Sequence, residues 1–280
     1  MVASSIREGK RDMVVRKKLS VLWVAAIMLL TVLVCSGIAL AITDGQPDNN
    51  DHPYVGLAAF YDEAGKPVWR CSGTLLSSTV FLTAGHCTDG AHSAQVWFDS
   101  KVTKPPYPYS GGVTGTPYTH PKFTWGNVAQ TDKSDEGVVV LNKEVSGPYG
   151  QLPELGFLDD LATRRGTQDV TFTVVGYGLQ EVLPNYQADL ERYKGTVSLI
   201  DLRSAIDNGG NNIQVTNNPG QHSTGGTCFG DSGGPLLYDN TNLVVGITST
   251  GMNDNCKGMG FYYRTDVANT QEFVKGFLKY

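Results

Sequence analysis

Three short segments, far apart in the chain, hold the side-chain types that nucleophilic attack on a carbonyl requires. The first is Gly230-Asp231-Ser232-Gly233-Gly234-Pro235. A serine hydroxyl is a poor nucleophile at neutral pH; it needs a base to take its proton and backbone N–H groups aimed at the oxyanion that forms. Glycines around Ser232 permit a tight turn that exposes the hydroxyl and let a substrate carbonyl come close. The base candidate is His86, in Leu82-Thr83-Ala84-Gly85-His86-Cys87, among small residues at the end of the apolar run Val80-Phe81-Leu82. Asp135 follows 49 residues later, at the mouth of the strand-like run Gly137-Val138-Val139-Val140-Leu141. A carboxylate there is shielded from water, as the partner of a catalytic imidazole should be, and can hold the ring in one tautomer and stabilise the imidazolium. Asp132 lies close by but lacks the adjoining apolar strand. His52, His92, His120 and His222 read as surface or structural residues.

Strands must position these groups. The 280 residues include 33 glycines and 13 prolines, with short Val/Thr/Ile/Tyr runs between turn residues, which indicates an all-β chain. The one helical pattern is C-terminal: over 266–279, Phe273/Phe277 and Val274/Leu278 repeat at i, i+4. No internal repeat is visible. The Pro/Tyr/Gly-rich stretch 101–126 reads as a loop.

The chain order His86, Asp135, Ser232 is that of the chymotrypsin-like proteases and not of subtilisins or α/β-hydrolases. Further segments resemble the chymotrypsin/trypsin-like serine endopeptidase family: Cys71-Ser72-Gly73-Thr74-Leu75, Val175-Gly176-Tyr177-Gly178, Gly246-Ile247-Thr248-Ser249-Thr250-Gly251 and Gly260-Phe261-Tyr262-Tyr263-Arg264. The stretches 88–119 and 179–222 match poorly, and nothing catalytic is assigned there. The resemblance implies two six-stranded antiparallel Greek-key barrels with a C-terminal helix and the active site between them. Residues 42–155 would form the barrel carrying His86 and Asp135. Residues 156–280 would form the barrel carrying Ser232, plus the helix. The N–H groups of Gly230 and Ser232 would supply the oxyanion hole.

The resemblance also implies a specificity pocket with Gly226 at its floor, walls at Thr227–Phe229 and Ser249–Gly251 (hence Thr227, Phe229, Ser249, Thr250 and Gly251), and Gly260 near its base. Neither Gly226 nor Gly260 offers a charge, so an apolar residue, large or aromatic, is expected before the scissile bond. Met252 at the entrance would favour medium aliphatic residues instead. Asp254 keeps trypsin-like specificity open as an alternative. A catalytically silent protease-like binding module is the other alternative, distinguished by whether Ser232 reacts.

The N-terminus suggests export. Residues 1–18 carry Arg7, Lys10, Arg11, Arg16, Lys17 and Lys18 against Glu8 and Asp12, and Leu19 to Ala41 carries no charge. A basic region, an apolar segment and the small-residue end Ala39-Leu40-Ala41 fit a signal peptide over 1–41. Residues 19–41 are also long enough for a membrane anchor, the alternative reading. Cleavage after Ala41 would free Ile42. In the related family the freed isoleucine ammonium pairs with the aspartate before the catalytic serine, here Asp231, and orders the oxyanion hole and pocket. The expectation is a secreted enzyme active on export, with no zymogen stage, although Thr43 and Asp44 depart from the family's pattern.

Of five cysteines, Cys35 leaves with the leader; the other four allow three disulfide connectivities. The family resemblance selects Cys71–Cys87 and Cys228–Cys256, and the spacing does not resemble a zinc site. The sparse disulfides and the direct junction at Ile42 suggest a bacterial source. Removing six basic and two acidic residues from totals of 22 and 27 leaves 16 against 25 after the leader, a net charge of −9. That acidity argues against nucleic-acid binding. Polypeptide substrates and proteinaceous protease inhibitors are the expected partners of a monomer that needs neither cofactor nor metal, and that meets a membrane only through its leader.

Overall fold

The computed structural model describes residues 42–102, 110–125, 134–163, 169–182, 186, 188–202, 211–220 and 222–278. The expected leader (1–41) and Asp132 lie outside the described residues. After a two-residue β1 (Gln46–Pro47), six strands close on themselves: β2 (Val55–Tyr61), β3 (Pro67–Leu75), β4 (Val80–Thr83), β5 (Ser93–Trp97), β6 (Val113–Thr119) and β7 (Gly137–Leu141), in the order β2-β3-β4-β7-β6-β5. A second set follows: β8 (Thr171–Gly176), β9 (Tyr193–Asp201), β10 (Asn212–Thr216), β11 (Pro235–Tyr238), β12 (Val244–Gly251) and β13 (Met259–Arg264). Its order is β8-β9-β10-β13-β12-β11, and a β8–β9 pairing beside the β11–β8 pairing closes it. Every one of these strand pairings is antiparallel. The two barrels therefore share one strand order, a structural repeat with no trace in the sequence.

Each barrel closes because its inward residues are apolar and pack together. Val55, Phe60, Phe81, Leu82, Val96, Val138 and Val139 are buried in the first core. Phe172, Val174, Val197, Ile213, Val215, Leu236 and Val245 are buried in the second. Burying each such side chain contributes about 1.5–3 kcal/mol. Gly73 marks the tightest point of the first barrel: a Cβ there would lie 2.4 Å from both the Leu82 carbonyl and the Phe81 ring, so only glycine fits.

The segment preceding the first barrel belongs structurally to the second. β1 pairs with β9 (Gln46 with Lys194, Pro47 with Tyr193), and Ile42 is fully buried in the second core. This places fully buried Asp48 against fully buried Arg192, with Oδ2 2.8 Å from Nε. Arg192 also donates to the carbonyls of Val55 (2.9 Å) and Phe98 (3.1 Å), to Tyr177 Oη (3.1 Å) and to Asn50 Oδ1 (2.6 Å). A buried guanidinium is tolerated when its donors are satisfied in this way. Burial pushes the Asp48 carboxyl up, but hydrogen bonds from His52 and Arg192 outweigh it and hold it below the usual range.

Among the described residues, two α-helices accompany the barrels: α1 (Gly85–Thr88) and α2 (Ala268–Lys275). The second is shorter than the 266–279 pattern suggests. At its start, Asp266 is engaged by Arg264 and by the Leu158 N–H, and Thr265 by the Val244 carbonyl, which hold the chain on the second barrel. At its end stands Gly276, a poor helix former. Val274 is buried in the first barrel's core, while Phe273 and Phe277 meet the rings of His120 and Tyr118. Among the described residues, no helix is long and apolar enough to cross a membrane.

Candidate active site

Strand register brings His86 and Asp135 together. β4 and β7 run antiparallel with Thr83 opposite Gly137. The residues just after β4 therefore lie beside those just before β7, and α1 presents His86 to Asp135. Asp135 accepts three donors: the His86 backbone N–H (2.8 Å), His86 Nδ1 (2.9 Å to Oδ2, 3.1 Å to Oδ1) and the Ser249 hydroxyl (2.5 Å). Burial alone would raise its pKa, but attraction to His86, the ring hydrogen bond, the Ser249 hydroxyl and the His86 N–H together lower it. A carboxylate so held fixes the ring with Nδ1 toward Asp135 and Nε2 facing away from it. Sequence reasoning placed Ser249 in a pocket wall; its bond to Asp135 was not foreseen.

Ser232 is placed by the same kind of register in the second barrel. β11 and β12 pair with Pro235 opposite Ile247, so the residues before β11 run beside 248–250. Gly233 donates to the Thr248 carbonyl at 2.8 Å. Its φ is +79°, and a Cβ there would lie 2.1 Å from Thr83 Oγ1 and 2.8 Å from the Ala84 nitrogen. This glycine is the point where the serine loop touches the chain entering α1. Ser72, quoted above only as part of a matching segment, clamps the loop from β3. Its N–H donates to the Ser232 carbonyl (2.8 Å), and its hydroxyl donates to the Gly230 carbonyl (2.9 Å) and accepts from the Tyr177 N–H (3.0 Å). No hydrogen bond joins His86 to Ser232 among the described residues. Among the described residues, the amide groups of Gly230 and Ser232 have no backbone acceptor.

Ser232 and Ser249 line one small cavity of about 130 Å³ with Thr227, Phe229, Thr250 and Gly251. Gly226 and Gly260 do not line it; the Asn217 amide is packed against both. Met252 and Asp254 are exposed. A larger cavity, about 630 Å³ between Leu76, Leu152, Leu155 and Leu278, contains none of the candidate residues. Disulfides join Cys71 to Cys87 and Cys228 to Cys256. The first occupies both thiols of the Cys71, Cys87 and His86 cluster, leaving no thiolate for a metal there.

Asp231 is fully buried, accepting from the N–H groups of Gly178 (2.8 Å) and Cys228 (2.9 Å). Burial pushes its carboxyl up to about 7 despite those two bonds and the attraction of Arg70. No hydrogen bond or ion pair joins it to Ile42 among the described residues; with Ala41 attached, the Ile42 nitrogen is an uncharged amide. Thr43 nevertheless docks beside the pocket, its hydroxyl donating to the Gly226 carbonyl at 3.1 Å. His120 is buried beside Glu136, 3.6 Å away, and is structural.

Two antiparallel barrels meeting at a serine, a histidine–carboxylate pair and a small pocket define a serine-type hydrolase of the two-barrel class. The trypsin family profile matches residues 42–273, and the chain belongs to that family. Its relatives include Serine protease 1 of Drosophila melanogaster, 28% identical over 225 residues (77% of each chain). Chymotrypsin of Phaedon cochleariae is 29% identical over 192 residues, 67% of this chain and 65% of that one. In fold it resembles a solved HL collagenase, with TM-score 0.67 and 19% identity over 85% of this chain and all of that one. The protein is a serine-type endopeptidase. These insect relatives lend no support to a bacterial source.

Proposed function

We propose that the protein is an exported endopeptidase that cleaves polypeptides through an acyl-enzyme, with Ser232 as nucleophile, His86 as base and Asp135 as its orienting partner. The observation that carries this reading is the hydrogen-bonded chain Ser249–Asp135–His86, whose first member shares a cavity with Ser232. His86 Nε2 takes the Ser232 proton as the oxygen attacks the scissile carbonyl. The Gly230 and Ser232 N–H groups donate to the tetrahedral oxyanion. His86 then hands the proton to the leaving amine, and water repeats the sequence on the ester. An uncharged pocket favours an apolar residue before the scissile bond, and the backbone of 249–251 pairs with the substrate as an added strand. Removal of residues 1–41 frees Ile42, whose ammonium pairs with Asp231 and orders the oxyanion loop. The enzyme acts as a monomer outside the cell, open to proteinaceous inhibitors that occupy the same cleft.

Labelling with a fluorophosphonate tests the reading. The processed protein should label at Ser232 and hydrolyse peptides, and Ser232→Ala should abolish both while remaining folded. A correctly processed, folded protein that neither labels nor cleaves would be a binding module instead. N-terminal sequencing tests the processing site, and a start other than Ile42 refutes it.

A further inference from the structure

Behind the pocket beside Ser232 lies a residue outside every motif. Asn217 follows β10 and is fully buried. A Cβ on Gly226 would lie 2.3 Å from its Oδ1, and one on Gly260 would lie 2.7 Å away, so the amide fills the space between the two glycines. Three features fix it there. Its N–H donates to the Gly258 carbonyl (2.9 Å), its Nδ2 donates to the Thr227 carbonyl (3.1 Å), and β10 pairs with β13 with Val215 opposite Gly260. Thr227 lines the cavity, so the second bond ties Asn217 directly to the pocket wall.

The volume agrees with a raised floor. The cavity is about 130 Å³, well under the roughly 300–1,000 Å³ of pockets that enclose larger ligands, and Gly226 and Gly260 lie outside its lining. Oδ1 is buried and has no hydrogen-bond partner among the described residues. The amide does not itself line the cavity, so Asn217 selects by exclusion rather than by contact with a polar tip.

We propose that Asn217 is the specificity-determining floor of this pocket, stopping it short so that a medium aliphatic residue, not an aromatic one, is accepted before the scissile bond. The inference rests on the protease reading of the Ser232 site and narrows its substrate class. It also gives the two glycines a different meaning: their missing side chains make room for the Asn217 amide, not for substrate. An aromatic ring would have to displace that amide and break its bond to Thr227.

The test is a series of peptides differing only in the residue before the cleaved bond, assayed on the processed enzyme and on Asn217→Ala and Asn217→Leu. Wild-type enzyme should favour leucine over phenylalanine by about tenfold in kcat/KM, within the range a few methylenes command in an apolar pocket. Asn217→Ala should lower that ratio several-fold or invert it by deepening the pocket. Asn217→Leu, which refills the space, should keep it; a purely structural role for the amide would not separate the two variants in this ratio. Wild-type preference for phenylalanine or tyrosine, or an unchanged ratio in Asn217→Ala, overturns the inference. Fluorophosphonate labelling of the same preparations distinguishes the failures. Enzyme that labels and cleaves with the wrong ratio defeats only the Asn217 floor, whereas folded protein that does not label defeats the protease reading and the floor with it. Should Asn217→Ala fail to fold, the wild-type ratio still decides.

Discussion

Replacing Asp135 with asparagine changes almost no volume but removes one acceptor from a site surrounded by donors. The carboxylate receives the His86 N–H on Oδ1, and the His86 ring and Ser249 hydroxyl on Oδ2. An asparagine has one oxygen and one NH₂ for these two positions. Placing the NH₂ against the His86 backbone N–H orphans a donor, at about 1–3 kcal/mol. Placing it against the ring and Ser249 is cheaper, because the hydroxyl can rotate to accept and the imidazole can change tautomer. That tautomer has its proton on Nε2, so the ring can no longer take the Ser232 proton. Asp135→Asn should therefore fold nearly as well as wild type yet lose about 10⁴ in kcat, the loss expected for a wrong tautomer. Peptide hydrolysis at neutral pH, with thermal denaturation alongside, measures both. A variant within tenfold of wild type would show that Asp135 does not hold the ring. The pH dependence gives a second check. A carboxyl with a lowered folded-state pKa contributes stability that is fully present above its unfolded value and lost as pH falls through the folded one. Asp135 should thus stabilise at all pH values above about 4, and Asp135→Asn should lose that acid-side dependence.

Asp231 should behave oppositely while Ala41 is attached. Its folded pKa is raised from 3.8 to about 7, so the native state holds a proton the unfolded state has released, and stability should fall by roughly 4 kcal/mol as pH rises across that window. Chemical denaturation of uncleaved protein against Asp231→Asn, which should lack this fall, checks it; cleaved protein should lack it too if the Ile42 ammonium reaches Asp231, and identical pH curves for uncleaved protein and variant would refute the assignment. Arg192→Met should cost about 3–5 kcal/mol by leaving Asp48 buried without its cation. Asp48→Asn combined with Arg192→Met should recover part of that, and purely additive losses would show the pair is not coupled.

The sequence made His86 and Asp135 legible because each sits at the end of an apolar run, and runs of that kind become paired strands whose register aligns their ends; Ser232 was legible from its glycine turn. Val80–Leu82 and Val138–Leu141 announced β4 and β7, and with them the meeting of His86 and Asp135. Asn217, Ser72 and Arg192 were not legible. Each is an ordinary polar residue whose partners lie far away in the chain: Asn217 touches Gly260, Ser72 holds Gly230, and Arg192 holds Asp48. A polar side chain buried by long-range packing leaves no local pattern. The two glycines at 226 and 260 carry a related difficulty. A missing side chain shows that space is needed but not which neighbour takes it. The helix ends failed differently, since periodicity continued past Gly276 while Asp266 and Thr265 were claimed by the barrel.

Placing the N-terminal segment in the second barrel gives the activation proposal a physical route. Asp48 holds Arg192, Arg192 donates to Tyr177 Oη, and the next residue, Gly178, donates its N–H to Asp231. Asp231 in turn lies between the two amides proposed as oxyanion donors. Thr43 meets the same region from the other side, through Gly226. The segment after the proposed cleavage site is therefore docked at two points before any ammonium exists. Under the activation proposal, cleavage frees an ammonium on a segment already held in place, and Asp231 is a carboxylate that burial makes costly to ionise. Continuity of contacts is not itself coupling. The Asp48/Arg192 variants supply the coupling test: if the route carries activation, they should reduce turnover of the cleaved enzyme beyond what their loss of stability explains, with Ser232 labelling slowed in parallel.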